Sequence, residues 1–137
     1  MALNSRFATG IHALLVLAAA PDELHRSEDV AQRLGTNPVV VRRVFSQLRQ
    51  AGLIVSQKGP SGGAKLARTA TEITLSDIHQ AVHPQRPNYA PTLPPEIQSS
   101  LKGVFSAATR AFENELAQTT LAQLAKKTSR KPKRRTR

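Results

Sequence analysis

Three observations predict a mainly α-helical chain with one small β-hairpin. Two short amphipathic segments meet at a tight turn over residues 35–37. A β-favouring run at residues 53–55 leads into a turn-rich stretch holding Gly59, Pro60, Gly62 and Gly63. A helical apolar stripe then runs from Ile97 to Leu124, beyond a proline-rich stretch. At 137 residues, one compact domain with extensions is the prior, and 39% hydrophobic content supports a modest core.

The first segment, Ile11 to Ala20, is apolar but too short to span a bilayer and is followed by Pro21-Asp22-Glu23. It reads as a buried first helix with Ser5 near its cap. No secretory segment is apparent, so a cytoplasmic, nucleoid-associated chain that avoids membranes is expected. Next, Ser27 is placed as the cap of a short helix, with Glu28 and Asp29 suiting the dipole in its first turn. Val30, Ala31 and Leu34 supply its apolar side, and Gly35 ends it.

The second helix of this pair starts at Asn37 as N-cap, with Pro38 in the first helical position, and Gly52 lies just past its end. Val41, Val44, Phe45 and Leu48 form its apolar stripe. Val39, Arg43, Ser46 and Gln50 lie opposite, with Arg42 on the flank. The helix contains two arginines near its N-terminus and no acid. Base-reading side chains of recognition helices come from that part. Helix, glycine turn, helix is also the pattern of any αα-hairpin, and residues 53–67 separate the two readings.

Those residues form a hairpin: a strand at 53–55, a turn over 56–63, then Ala64-Lys65-Leu66-Ala67. Glycine-rich loops also cradle nucleotides, but no G-x-G-x-x-G or G-x-x-x-x-G-K-[ST] spacing is present. A basic tip with exposed N–H groups instead suits phosphates or a minor groove, with Lys58, Ser61 and Lys65 as contacts. Recognition helix followed by wing gives a winged helix-turn-helix domain over residues 1–82 whose partner is double-stranded DNA.

Past the hairpin, Thr74-Leu75-Ser76-Asp77 is a capping-box variant, Ile73 is placed to staple to Ile78, and Leu75, Ile78 and Val82 form one apolar side. Residues 83–95 hold five prolines and read as an extended linker. One long helix is expected over residues 96–125. Ile97, Leu101, Phe105, Ala108, Phe112, Leu116 and Leu124 line one side, Val104 lies beside them, and Thr119 and Thr120 interrupt the stripe. Such a stripe needs the winged domain, a second copy, or both. A homodimer is expected, with Leu101, Phe105, Phe112 and Leu116 at its interface.

The net charge of +11 is uneven. Residues 126–137 carry eight bases and no acid, leaving twelve bases and nine acids in the other 125 residues, a net of +3. The tail reads as disordered, and either as a phosphate-binding arm or as a solubilising appendage.

Several of these stretches resemble one family: residues 5–8, 13–14, 41–45, 48–54, the Gly59-Pro60-Ser61-Gly62-Gly63 wing with Leu66-Ala67, and Ile73-Thr74-Leu75-Ser76-Asp77-Ile78. The chain resembles the Rrf-type winged-helix regulators, relatives of IscR, NsrR and CymR, from about residue 3 to 125. The resemblance implies a bacterial homodimeric transcription factor. It also implies a recognition helix in the major groove, a wing in the minor groove, and DNA reading at Val39, Arg42, Arg43 and Lys58. Cluster-binding relatives carry three cysteines between the winged domain and the dimerisation helix; this chain has none anywhere. The first ten residues also lack the acid that serves some relatives as an extra ligand. No iron–sulfur cofactor, disulfide or thiol switch is expected.

His79 and His83 lie four apart, but no carboxylate or thiol is near in sequence to complete a metal site, and no metal is expected. His12 reads as packed or capped. No catalytic constellation is recognisable, so no enzymatic activity is expected. Three function classes remain: a dimeric sequence-specific regulator, most simply a repressor; an architectural, nucleoid-type DNA binder; and an interaction module that has lost DNA binding. Arg42, Arg43 and the intact wing argue against the last, and a body charge of only +3 against the second. An effector is expected near the linker and Tyr89, where spacing between recognition helices would be set.

Overall fold

Asn37 starts the basic helix as its side chain predicts. Its Oδ1 accepts from the Val39 N–H at 2.8 Å, and Pro38 begins α3 (Pro38–Gln50). The helix preceding it, α2 (Ser27–Leu34), ends at Gly35 with φ 71°, so a three-residue turn joins the pair. Ser27 is not the cap of α2. Arg26 occupies that position with extended backbone and no side-chain cap, and Ser27 is the first helical residue. Both helices come after α1 (Ser5–Ala19). In this computed structural model the described residues are 5–85 and 91–129.

The hairpin pairs β1 (Ile54–Gln57) antiparallel to β2 (Gly63–Leu66), with Ile54 opposite Leu66 and Gln57 opposite Gly63. His25 extends it. Its N–H donates to the Ala64 carbonyl and its carbonyl accepts from the Ala64 N–H, both at 2.9 Å. The chain just before α2 therefore lies against the wing, and a single residue takes the place of a third strand. After β2 come a 3-10 turn (Ala70–Glu72) and α4 (Leu75–Val82).

Capping of α4 is reciprocal: Thr74 Oγ1 accepts from the Asp77 N–H at 3.1 Å, and Asp77 Oδ2 accepts from the Thr74 N–H at 3.0 Å. Removing the hydroxyl with Thr74→Ala is expected to cost about 0.5–2 kcal/mol. Urea denaturation followed by circular dichroism checks this; an unchanged midpoint would show that the cap is redundant with tertiary packing.

One core unites these elements. Leu14 and Leu17 of α1, Val41, Val44 and Leu48 of α3, Ile54 of β1, and Ile78 and Val82 of α4 are all buried, as are Leu53, Ile73 and Leu121. The apolar stripe of α3 thus turns inward, which fixes Val39, Arg42 and Arg43 outward.

The C-terminal region departs from expectation. The apolar stripe predicts a single helix over 96–125; the chain forms α5 (Pro95–Leu116) and α6 (Leu121–Ser129) instead. Two features explain the break. Thr120 and Gln123 exchange hydrogen bonds, side chain to backbone, at 2.9 and 3.1 Å, which starts a new helix. The break is also tied down: the Leu75 N–H donates to Thr119 O at 3.0 Å and the Leu121 N–H to Ile73 O at 2.7 Å. Leu121 is consequently part of the core, and α6 packs on α1. Leu116, expected at a dimer interface, is half-buried and packs against this same core. Helix α6 also extends through Lys126 and Lys127, so part of the predicted disordered tail is helical. Residues 130–137, residues 86–90 of the linker and Tyr89 with them lie outside the described residues. His12 is exposed rather than packed.

Candidate nucleic-acid interface

The outward edge of α3 is short and sharply defined. Over residues 38–46 only Val39, Arg42 and Arg43 are exposed; Ser46, expected to join them, is half-buried. Arg42 reaches back to α2, with Nη1 3.3 Å from Glu28 Oε2. Arg43 makes no ion pair or side-chain hydrogen bond among the described residues.

The wing stands beside this edge. Lys58, Ser61 and Lys65 are all exposed, and none of them pairs with a carboxylate among the described residues. Arg26 holds the wing tip, donating from Nη1 to the Pro60 carbonyl at 2.6 Å, while its Nε sits 3.8 Å from Glu28 Oε1. On the other side, Arg49 Nη1 donates to Ser56 Oγ at 3.0 Å, joining the end of α3 to β1. A shallow groove runs between α3 and the hairpin, lined by His25, Ser27, Arg42, Arg49, Ser56 and Gln57. It is open, with Arg42 and Arg49 on its rim, and suits a phosphate backbone rather than an enclosed small molecule. Arg26 and Arg49 were missed in the sequence because neither lies on an expected contact face. Arg49's place in the last turn of α3 and Arg26's place ahead of α2 were the available signals.

A second cluster lies where α5 meets α4. Glu113 of α5 accepts from Ser76 Oγ at 2.8 Å and from Gln80 Nε2 at 3.3 Å, and it pairs with His79 Nδ1 at 2.9 Å. The His79 ring is flanked edge-on by Phe7 and Phe112, each at 5.0 Å between centroids, and it meets the His83 ring at 4.9 Å. Burial pushes the His83 imidazole below its ordinary pKa; the electrostatic influence of neighbouring His79 and Arg6 adds to this, and Glu113 opposes it. The fold thus supplies His79 with the carboxylate that its sequence neighbours lack, but as a clasp between helices. Among the described residues no group of three His, Cys, Asp or Glu side chains is gathered to hold a metal ion.

Of the predicted interface residues on α5, Phe112 meets His79 edge-on, whereas Leu101 and Phe105 are half-buried. No residue of α5 is fully buried in the single chain. Ile97, Val104 and Phe112 expose 44%, 60% and 38% of their surface, so the stripe is largely uncovered.

Comparison with known proteins decides the family. The family model for Rrf2, described as an iron-dependent transcriptional regulator, matches residues 3–127. The chain belongs to the Rrf2 family. It is 38% identical over 127 residues to the Bacillus subtilis protein YwnA, assigned as an HTH-type transcriptional regulator, covering 87% of this chain and 93% of YwnA. It is 36% identical over 85 residues to the transcriptional regulator IscR of Cereibacter sphaeroides, where the match spans 60% of this chain and 55% of the relative. Among solved structures, a transcriptional regulator from Lactobacillus plantarum superposes with TM-score 0.77 at 26% identity, covering 91% of this chain and 90% of the other. The Rrf2 assignment makes the chain a DNA-binding transcriptional regulator with the winged helix-turn-helix fold.

A thiolate-held iron–sulfur cluster, one form the family's iron dependence could take, does not fit the donor set of this chain. An ordinary iron–sulfur cluster needs thiolates, and the 137 residues contain no cysteine. Among the described residues no helix is long and apolar enough to cross a membrane.

Proposed function

We propose that this Rrf2-family chain is a homodimeric, sequence-specific transcriptional repressor that acts on the nucleoid without an iron–sulfur cluster and without catalytic activity. The observation that carries the DNA reading is the exposed Val39–Arg42–Arg43 edge of α3, set beside a wing that Arg26 and Arg49 fix in place. Val39, Arg43 and Ser46 face the major groove, Arg42 meets the DNA from their flank, and Lys58, Ser61 and Lys65 meet phosphates or the minor groove. Repression follows most simply from occlusion of a promoter by a bound dimer. The dimer reading rests on α5, a helix of roughly 33 Å at 1.5 Å per residue with no buried side chain of its own. The absence of thiolates supports sensing by some other chemistry.

Footprinting tests this. A discrete palindromic protected site supports the regulator; uniform coverage would indicate an architectural DNA binder instead. The basic residues past α6 enter the same experiment. Truncation after Ser129 removes Arg130, Lys131, Lys133, Arg134, Arg135 and Arg137. The slope of log affinity against log salt should fall by about 0.9 for each phosphate no longer neutralised, with site preference kept. An unchanged slope would leave these residues as a solubilising appendage.

A further inference from the structure

We propose that Val39 and Arg43 act as one reading pair that selects a thymine methyl beside a guanine, and that Arg42 serves as a positioning contact outside that pair. This deepens the reading of the chain as a sequence-specific DNA binder and rests on it.

The division of labour follows from the partners each exposed side chain already has. Asn37 is spent on capping, since its Oδ1 accepts from the Val39 N–H, and Pro38 has no N–H to offer. Arg42 is drawn to Glu28, which also lies 3.8 Å from Arg26, and Arg26 in turn holds the Pro60 carbonyl. The Arg42 guanidinium therefore faces the groove between α2, α3 and the wing, where a phosphate backbone would run. Arg43 has no such tether among the described residues and projects on the far side of the helix from the core.

Val39 lies one turn before Arg43 on the same face. Their Cβ atoms are roughly 6 Å apart, against about 3.4 Å per base-pair step, so the two side chains fall on base pairs one to two steps apart. Val39 is 51% exposed in the first turn of α3, and no polar contact accounts for an apolar residue there. In the major groove only thymine presents a methyl group, at C5, and only guanine presents paired acceptors for a bidentate arginine. A branched apolar side chain next to an untethered guanidinium matches that combination. Cytosine offers neither feature, carrying a donor in their place.

The test uses the full chain and duplexes enriched by it from a random pool. Uracil lacks only the C5 methyl of thymine, so each thymine of the enriched site is replaced by deoxyuridine in turn. One thymine per half-site, within two steps of a guanine, is expected to lose about fourfold in affinity, the equivalent of burying one methyl-sized group at ~0.8 kcal/mol. Val39→Ala should bind the enriched site more weakly and show a smaller penalty from that same replacement. Arg43→Ala should flatten the guanine preference, whereas Arg42→Ala should weaken enriched and random duplexes alike. A site indifferent to uracil everywhere, or a Val39→Ala chain that keeps the full uracil penalty, overturns the Val39 assignment while leaving the regulator reading intact. Equal flattening of preference by Arg42→Ala overturns the division between the arginines. A pool with no enriched sequence overturns the regulator reading itself.

Discussion

A Val104→Asp chain is expected to sediment as a monomer and to bind its operator at least a hundredfold more weakly than the unaltered protein. Val104 is 60% exposed in the single chain, so the substitution leaves the winged domain's core untouched. In a dimer built on α5, two-fold symmetry places the residue at the interface in both copies. An uncompensated buried charge costs about 3–5 kcal/mol, and each 1.4 kcal/mol is a factor of about ten. Two half-sites bound independently lose the gain that linkage gives. Phe112 is a poorer probe than Val104, because it also packs edge-on against His79 and a charge there would disturb the α4–α5 clasp within one chain. Sedimentation at micromolar concentration reads the result. A Val104→Asp chain that still sediments as a dimer would remove α5 from the interface, and unaltered protein that sediments as a monomer would remove the dimer altogether.

Local signals were legible wherever one residue's chemistry fixes one backbone choice. Asn37-Pro38 set the start of α3, Gly35 set the end of α2, and Thr74 with Asp77 set the cap of α4. The 3.6-residue stripe of α3 identified its buried face, and by difference its exposed edge. Failures came where long-range contacts decided the outcome. Nothing in Thr119-Thr120 alone says that the chain turns back, yet the Ile73 carbonyl and a core site for Leu121 make it do so. Thr119 and Thr120 interrupt the apolar stripe, but an interruption alone does not separate a helix break from polar positions on one continuous helix; the Thr120–Gln123 hydrogen bonds decide it. His25's pairing with Ala64 and the Glu113 clasp on α4 link residues more than thirty positions apart, beyond the reach of periodicity. The same holds for Arg26, whose partner is a wing carbonyl 34 residues away. The order of helix, turn, helix and basic hairpin already marked one DNA-binding unit, and the family resemblance added the groove roles of Val39, Arg42, Arg43 and Lys58.

Gly62→Ala is expected to abolish the wing's contribution to DNA binding while leaving the helices folded. Gly62 sits in the turn between β1 and β2, where its N–H donates to the Gly59 carbonyl at 3.0 Å. A Cβ at this position would lie 1.9 Å from the Gln57 carbonyl oxygen and within 2.9 Å of the Gln57 and Lys58 carbonyl carbons. All three are backbone atoms of the opposing strand end, so no side-chain rotation relieves the clash, and the turn must open. Overpacking of this kind costs about 1–3 kcal/mol. The displacement reaches beyond the tip: Pro60 would withdraw its carbonyl from Arg26, and Lys58 and Ser61 would lose their fixed place beside α3. Phosphate contacts carry affinity without sequence information, so binding to enriched and random duplexes should fall together by about tenfold or more, with base preference retained. Faster amide exchange confined to β1 and β2, with α3 and α4 still protected, would locate the damage in the wing. If Gly62→Ala binds DNA as the unaltered chain does, the wing is not part of the interface, and the DNA reading must rest on α3 alone.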